Sequence, residues 1–270
     1  MSTSPIPPMD PIRLSELRDV AVRVVRQAAQ LAREMALAPQ DLDVAAKSGR
    51  NDLVTAADKA VEELVVAELT AATSLPVLGE EGHTIDSFAG LVWVLDPIDG
   101  TMNYVATHRD FAVSLALCAD GVPVIGVVAD VMADHLYCAV TGQGATCDSQ
   151  PLLHLGQGPS RRDCVIITDL KEIQALPRLA QCLTESRGHR RYGSAALECV
   201  EVAAGRAGAF VHMWVSPWDI AAAWLICREV GGVVTRIDGT ALDVRHKGSI
   251  LVGAERTHSE LLQRLMIDPS

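Results

Sequence analysis

The segment 91–104, which reads L-V-W-V-L-D-P-I-D-G-T-M-N-Y, constrains the fold of this chain more than any other. Its first five residues form an apolar run with the length and composition of a buried β-strand. Two carboxylates follow, Asp96 and Asp99, on either side of a proline turn. Gly100 then lets the backbone approach a ligand closely, and Thr101 stands where a helix can begin. A strand that ends in two acids and free N–H groups predicts a site for a metal and a phosphate together.

The rest of the sequence predicts a mixture of helices and strands. Residues 12–38 and 56–72 place apolar side chains at helical spacing, whereas 111–118 and 122–131 are typical of strands joined by a hairpin at Asp120-Gly121. The chain has 270 residues, 49% of them apolar, so a well-formed core is expected. Because paired strands alternate with helical segments, we predict an α+β fold built as a layered sandwich.

The composition also suggests how the chain is divided. Residues 1–11 are rich in proline and small polar side chains, which indicates a flexible N-terminal lead-in. Residues 12–155 would form an N-terminal αβ half with most candidate metal ligands. Residues 156–270 would form a C-terminal αβ half with Asp219 and the substrate-side residues. Since no linker or repeat separates the halves, we expect one compact catalytic unit, with a weak seam near 156–160.

The charge and the cysteines argue against several classes of function. A net charge of −11 without a run of Lys or Arg argues against a nucleic-acid partner. The seven cysteines are odd in number and contain no C-x-x-C, which favours reduced thiols in a cytoplasmic protein over disulfides or zinc. No apolar window approaches a membrane span, and the N-terminus lacks a secretory signal, so no membrane partner is expected.

Four acids stand out by their context: Glu80, Asp96, Asp99 and Asp219, the last predicted to open a helix. Taken singly, each is equally well explained as a helix cap or a turn residue. If they converge, two carboxylates about 4 Å apart repel by about 4 kcal/mol at an effective dielectric of about 20, so cations or protons are required. Oxygen ligands without His or Cys favour Mg²⁺, and the Ile98 carbonyl offers a further oxygen.

Four motifs resemble the inositol monophosphatase superfamily of metal-dependent, lithium-sensitive phosphatases. They are D-L-V-T-A-A-D at 52–58, G-E-E-G at 79–82, D-P-I-D-G-T at 96–101 and P-W-D-I-A-A-A at 217–223. G-T-M-N-Y and Y-G-S-A-A-L-E are similar to the bacterial inositol-1-monophosphatase-like branch. The resemblance spans nearly the whole chain. It implies an α-β-α-β-α sandwich of the sugar phosphatase type, a homodimer, and hydrolysis of a small phosphorylated substrate, with inositol 1-phosphate as the leading candidate.

The resemblance also implies a set of metal ligands. Glu80, Asp96 and the Ile98 carbonyl would bind a first Mg²⁺, and Asp96, Asp99 and Asp219 a second. Glu80 would touch a third, more loosely held ion. Two or three Mg²⁺ per site are therefore expected from the resemblance.

Catalytic and substrate-binding roles follow from the same resemblance. Thr101, hydrogen-bonded to Asp58, would help Glu80 activate the attacking water, and Asp99 would contribute to the reaction. The amides of Gly100 and Thr101 would hold the phosphate. The remaining implied substrate contacts are Lys47 on a loop near the metals, Asp99, Gly193, Ser194 and Ala195.

One position departs from the family pattern. Inositol phosphatases carry an acid on the strand before W-D that contacts the sugar hydroxyls, and His212 aligns with it here. A histidine facing the site favours an anionic or different polyol substrate, whereas a histidine in the core or on the surface is the competing interpretation. Trp214, Trp218 and Trp224 are expected to be packing residues.

Other functions remain open at this stage. Within the same chemistry, the alternative substrates are NADP, fructose 1,6-bisphosphate, a 3′-phosphonucleotide and histidinol phosphate. The alternative of another class is a non-catalytic regulatory protein that reuses the fold, as some relatives do with RNA machinery. The complete set of acids and the lack of a basic patch argue against that alternative.

Overall fold

The computed structural model describes residues 10–38, 45–49 and 52–266, with the backbone alone at 45–49 and 52–54. Most of the expected N-terminal lead-in lies outside these ranges. The helices of the described chain are α1 (Pro11–Leu37), α2 (Ala56–Thr73), α3 (Thr101–Ala106), α4 (Leu170–Ala175), α5 (Pro177–Glu185), α6 (Ala195–Ala203), α7 (Pro217–Glu229) and α8 (Glu255–Met266). Its strands are β1 (Ala45–Gly49), β2 (Asp52–Val54), β3 (Val77–Gly79), β4 (Leu91–Asp99), β5 (Ala112–Ala119), β6 (Val122–Asp130), β7 (His135–Val140), β8 (Ala145–Cys147), β9 (Gln150–Pro151), β10 (Val165–Ile167), β11 (Gly188–Arg190), β12 (Ala209–Val215), β13 (Val233–Thr235) and β14 (Gly248–Gly253).

Two large sheets and three helical layers stack on one another, and β1 and β2 form a separate two-stranded sheet. The first sheet has the order β3-β4-β5-β6-β7-β8-β9 and the second the order β11-β10-β12-β14-β13. Helices α1 and α2 cover one face of the first sheet, α6 and α7 lie between the sheets, and α5 and α8 cover the second sheet from outside. The predicted α+β sandwich with alternating layers is therefore confirmed. No helix within the described ranges is long and apolar enough to cross a membrane.

Strand β4 runs farther than the sequence predicts. The expected strand ended at Leu95, but residues 92–99 are all buried and the strand continues to Asp99. Its pairing with β5 becomes irregular between Asp96 and Asp99. Pro97 lies in this stretch and has no N–H to give to the ladder, which accounts for the break in register. Both acids are consequently held at the end of one buried strand in the interior of the sheet.

Helix α7 brings the second half of the chain against the first sheet. A Cβ at Gly126 of β6 would lie 2.5 Å from the carbonyl oxygen of Ala222, so the missing side chain permits this close approach. The sequence predicts that the helix begins at Asp219, but it begins two residues earlier, at Pro217. Asp219 lies in its first turn, where its Oδ2 accepts a hydrogen bond from the Ser216 amide at 2.7 Å. The acid is therefore fixed at the N-terminal end of α7.

Candidate active site

Three carboxylates from separate elements meet at one point. Glu80 directly follows β3, Asp96 lies in β4 and Asp219 lies in α7. One oxygen of each lies within 4.8 Å of the oxygens of the other two. Asp96 is 2% exposed, and its Oδ1 accepts a hydrogen bond from the Ile98 amide at 3.1 Å. The convergence that a metal site requires is thus present, and every side-chain ligand is an oxygen, as Mg²⁺ prefers.

Asp99 connects this cluster to the start of α6. Its Oδ2 accepts hydrogen bonds from the Ser194 hydroxyl at 2.5 Å and the Ala196 amide at 2.7 Å, and its Oδ1 accepts one from the Ala195 amide at 3.2 Å. Burial raises the pKa of Asp99 to about 6, although these three hydrogen bonds act in the opposite direction. Asp99 therefore lies between the acids and the segment predicted to contact the substrate.

The acids of the cluster are strained electrostatically when no cation is bound. Burial raises the pKa of Asp96 well above its usual value, and the charges of Glu80, Asp99, Asp219 and Asp58 raise it further. Burial and the charge of Asp99 likewise raise the pKa of Asp219. Grouped carboxylates that resist ionisation require either protons or cations. Since the ligands are carboxylates, a divalent cation fits this site.

A second hydrogen-bond network lies beside the cluster. The Thr101 hydroxyl lies 3.2 Å from Oδ1 of Asp58 and 3.2 Å from the carbonyl oxygen of Ile98. Asp58 is 1% exposed, and its Oδ2 accepts hydrogen bonds from the amide and hydroxyl of Thr55 at 2.7 and 2.6 Å. Each oxygen of Asp58 therefore has a defined partner. The structure brings Asp58, Thr101 and Ile98 together as the sequence predicts.

Gly100 forms the tight turn between β4 and α3. Its φ is +97°, and an added Cβ would lie 3.2 Å from the Gly193 carbonyl, so a side chain would be strained and crowded. The first backbone hydrogen bond of α3 runs from the Tyr104 amide to the Gly100 carbonyl. The amide of Thr101 precedes that bond and has no carbonyl partner within the helix. The side-chain amide of Asn103 donates to the Tyr192 carbonyl at 2.6 Å and ties this turn to the loop before α6.

Glu62 orders the loop that carries Glu80, and the sequence analysis missed it. Glu62 is 2% exposed. Its carboxylate accepts hydrogen bonds from the amides of Glu81 and His83 at 2.8 and 3.2 Å and lies 2.7 Å from Nδ1 of His83. Only the tertiary structure reveals this role, because Glu62 lies in α2, 19 residues before the Glu81 amide that it accepts from.

A polar cavity of about 170 Å³ opens beside Asp99 and Asp219. Four of the predicted substrate residues line it, namely Asp99, Gly193, Ala195 and His212. Ser194 lies beneath it, 1% exposed. The cavity is also lined by residues that the sequence analysis did not assign to it: Asp169, Arg191, Glu198, Trp214 and Val215.

Glu198 supports the floor of this cavity. Its Oε1 accepts hydrogen bonds from the amides of Tyr192 and Gly193 at 2.7 and 2.9 Å. Burial raises its pKa to about 7, although the two hydrogen bonds lower it. Glu198 thereby holds the backbone of the substrate-side loop.

The predictions for Trp214 and Lys47 differ in their outcome. Trp214 is 72% exposed, so its prediction as a packing residue is wrong. Lys47 lies in β1, but its side chain lies outside the described part of the chain, and its role stays a prediction.

The architecture and the site together define a class of protein: a five-layer α+β sandwich with an oxygen-ligand cluster at the end of an interior strand, beside a polar cavity. The profile of the Inositol monophosphatase family matches residues 13–267, and the chain belongs to this family.

Individual relatives agree with this assignment. The chain is 36% identical to an inositol-1-monophosphatase of Bacillus subtilis (strain 168) over 262 residues, which is 93% of this chain and 97% of the relative. It is 32% identical to Nus factor SuhB of Escherichia coli (strain K12), covering 92% and 94% of the two chains. It is also similar to two crystal structures of SaIMPase-II, each covering 93% of both chains. The complex with inositol monophosphate has a TM-score of 0.81 at 34% identity, and the complex with 2′AMP has 0.82 at 35%.

Proposed function

We propose that this protein is a Mg²⁺-dependent phosphate monoester hydrolase, with inositol 1-phosphate as its leading substrate. The observation that carries the proposal is the cluster of Glu80, Asp96 and Asp219, with oxygens within 4.8 Å and two carboxyl pKa values raised well above normal. Such a cluster costs stability unless cations occupy it, and its cavity is large enough for a small ester. The similarity of this chain to a relative named inositol-1-monophosphatase also supports phosphate monoester hydrolysis.

The carboxylate and carbonyl oxygens of the site suit Mg²⁺, and we propose two or three ions. Glu80, Asp96 and the Ile98 carbonyl would hold the first, and Asp96, Asp99 and Asp219 the second, with Glu80 available to a third. Bound Mg²⁺ supplies Lewis acidity toward phosphate oxygens and lowers the pKa of a coordinated water. The cations would also offset the negative field of a chain with a net charge of −11.

The protein's own groups position the reactants. Asp58 accepts a hydrogen bond from the Thr101 hydroxyl, so the Thr101 oxygen would be free to accept one from a water that Glu80 would deprotonate. The amides of Gly100 and Thr101 point to a phosphate-binding turn before α3. Asp99 is hydrogen-bonded to the start of α6, so it would join the reacting phosphate to the substrate-side wall at Gly193, Ser194 and Ala195.

Replacing Thr101 by Val is expected to lower kcat by about 10²- to 10⁴-fold, because it removes the hydroxyl that links Asp58 to the water. KM should change little, whereas the melting temperature should fall by a few degrees, because the buried Asp58 carboxylate loses a hydrogen-bond donor. Steady-state phosphate release measures the effect. The matched control is Thr101→Ser, which keeps the hydroxyl and should retain most of the activity. If Thr101→Val stays within about threefold of the wild-type kcat, the proposed role of this hydroxyl is incorrect.

The substrate and setting are the finer parts of the proposal. The complexes of SaIMPase-II with inositol monophosphate and 2′AMP support a small phosphorylated substrate. NADP, fructose 1,6-bisphosphate, a 3′-phosphonucleotide and histidinol phosphate remain the alternatives. Lithium inhibition, a homodimer and a cytoplasmic location complete the proposal. The second candidate is a regulatory role without catalysis, favoured by the similarity to Nus factor SuhB.

The test is phosphate release from this panel of esters with Mg²⁺, with Mg²⁺ plus Li⁺, and with a chelator. Hydrolysis of at least one ester that requires Mg²⁺ and falls with Li⁺ is expected. If no ester is hydrolysed faster than in the chelated control, the enzymatic proposal is wrong and the regulatory candidate takes its place.

A further inference from the structure

Trp214 is an exposed aromatic residue on the rim of the cavity. Its side chain is 72% exposed, and it lines the same cavity as Asp99 and Asp219. The other tryptophans are different: Trp93 is fully buried, and Trp218 and Trp224 pack against the core between the sheets. Since a large aromatic side chain is normally buried, one that faces a ligand cavity points to contact with a ligand.

The backbone around Trp214 is fixed although the indole is exposed. The pairing of β12 with β14 is irregular between His212 and Val215, which releases the amides of Met213 and Trp214 from the ladder. The Met213 amide donates to Oε1 of Glu172 at 3.0 Å, and the Trp214 amide donates to Nδ1 of His212 at 3.1 Å. Because both amides have side-chain partners, the backbone that carries the indole is held in place.

Hydrogen-bond donors lie next to this aromatic surface. Arg191 lines the cavity and forms an ion pair with Asp169, with Nε 3.0 Å from Oδ2. His212 accepts at Nδ1, so its neutral imidazole carries the hydrogen on Nε2. Burial lowers the pKa of His212, although Glu172 and Asp169 act in the opposite direction. The wall therefore offers a guanidinium group and an imidazole N–H beside the indole.

The carboxylates of the wall already have internal partners. Asp99 accepts from the start of α6, Asp219 from the Ser216 amide, and Glu198 from the substrate-side loop. Asp169 accepts from the Leu170 amide at 2.5 Å and also holds Arg191. These hydrogen bonds fix the carboxylates of the wall in place. A flat ring with heteroatom acceptors matches an aromatic surface with adjacent donors.

We propose that Trp214 gives this site a further substrate class beside inositol 1-phosphate: phosphate monoesters whose alcohol part carries a planar heteroaromatic ring, stacked on Trp214 and hydrogen-bonded by Arg191 or His212. This inference rests on the proposed phosphatase function and extends its substrate class. Trp214 is then a specificity-determining residue that contacts the substrate away from the phosphate.

The test compares kcat/KM for 2′-AMP and glycerol 2-phosphate. Both are esters of secondary alcohols, and only the first carries an aromatic ring. Trp214→Ala should lower kcat/KM for 2′-AMP by about 10- to 100-fold, because stacking on one base is lost, and leave glycerol 2-phosphate within about twofold. Trp214→Phe should keep most of the activity on 2′-AMP. Leu153→Ala, which truncates a side chain that is 88% exposed and does not line this cavity, should change neither value.

Several outcomes would overturn the inference while the proposed function stands. The inference fails if the wild-type protein hydrolyses glycerol 2-phosphate but not 2′-AMP. It also fails if Trp214→Ala lowers kcat/KM equally for both esters, or for neither. A changed sedimentation coefficient of Trp214→Ala with an unchanged ratio of the two kcat/KM values would assign the residue to a protein contact instead. If the wild type hydrolyses neither these two esters nor the wider panel above the metal-free control, the proposed function fails, and this inference fails with it.

Discussion

Asp96→Asn is expected to reduce Mg²⁺-dependent phosphate release by at least about 10³-fold, because it removes a charged ligand that both main metal sites would share. The same variant should be more stable than the wild type when both are free of metal near pH 8. Asp96 is buried, and its pKa is raised by burial and by the charges of Glu80, Asp99, Asp219 and Asp58, so its ionised form opposes folding. Kinetic assays and thermal melts with a chelator measure the two effects.

Asp86→Asn is the matched control for this experiment. Asp86 is exposed and follows Glu80 on the same loop, so its replacement should alter neither activity nor the metal-free melting temperature. Loss of activity together with higher metal-free stability is the pattern expected of a functional metal ligand. Activity of Asp96→Asn at the wild-type level would remove Asp96 from the proposed metal site.

The second large effect concerns stability, pH and Mg²⁺. In the metal-free protein, the melting temperature should fall by several degrees as the pH rises from about 6.5 to about 8.5, since one pKa unit corresponds to about 1.4 kcal/mol. The folded-state pKa is raised well above normal for Asp96 and Asp219, whereas Glu198, with a pKa of about 7, contributes only at the lower end of this range. A carboxyl group with a raised folded pKa binds more protons in the folded than in the unfolded state, so this stability is lost as the pH rises.

The chosen pH window separates these acids from the histidines. Burial lowers the pKa of His258 to about 4, so that residue destabilises the folded state mainly below its unfolded pKa of about 6.5. Above that pH the cluster dominates, and added Mg²⁺ should raise the melting temperature more at about pH 8.5 than at about pH 6.5. Differential scanning fluorimetry at both pH values, with Mg²⁺ or a chelator, measures this. A melting temperature that does not respond to Mg²⁺ at either pH would contradict a metal site at these acids.

Local sequence signals predicted the elements that position the cluster. The apolar run at 91–95 indicated the buried strand, and Asp120-Gly121 indicated the hairpin between β5 and β6, where both residues have positive φ. These features depend on neighbouring residues, so composition and spacing reveal them. Local context also singled out Glu80, Asp96, Asp99 and Asp219, and the family resemblance then implied that they meet at one metal site.

The substrate side was less predictable because it depends on contacts between distant segments. The exposure of Trp214 follows from an irregular strand whose Met213 amide is held by Glu172, 41 residues earlier in the sequence. The pairing of Arg191 with Asp169 likewise joins two loops. A tryptophan in an apolar run favours a packing role when only the sequence is considered. The sequence also did not predict that β4 continues from Leu95 to Asp99, since irregular strand pairing is not visible in the hydrophobic pattern.

The most direct test of the central claim is diffraction at the manganese absorption edge from crystals soaked with Mn²⁺ and phosphate. Mn²⁺ accepts the same oxygen ligands as Mg²⁺ and can be located by its anomalous signal. We expect anomalous peaks between the carboxylates of Glu80, Asp96 and Asp219, with phosphate between the ions and the amides of Gly100 and Thr101. Mn²⁺ bound elsewhere, with none among these carboxylates, would contradict the proposed metal-dependent active site.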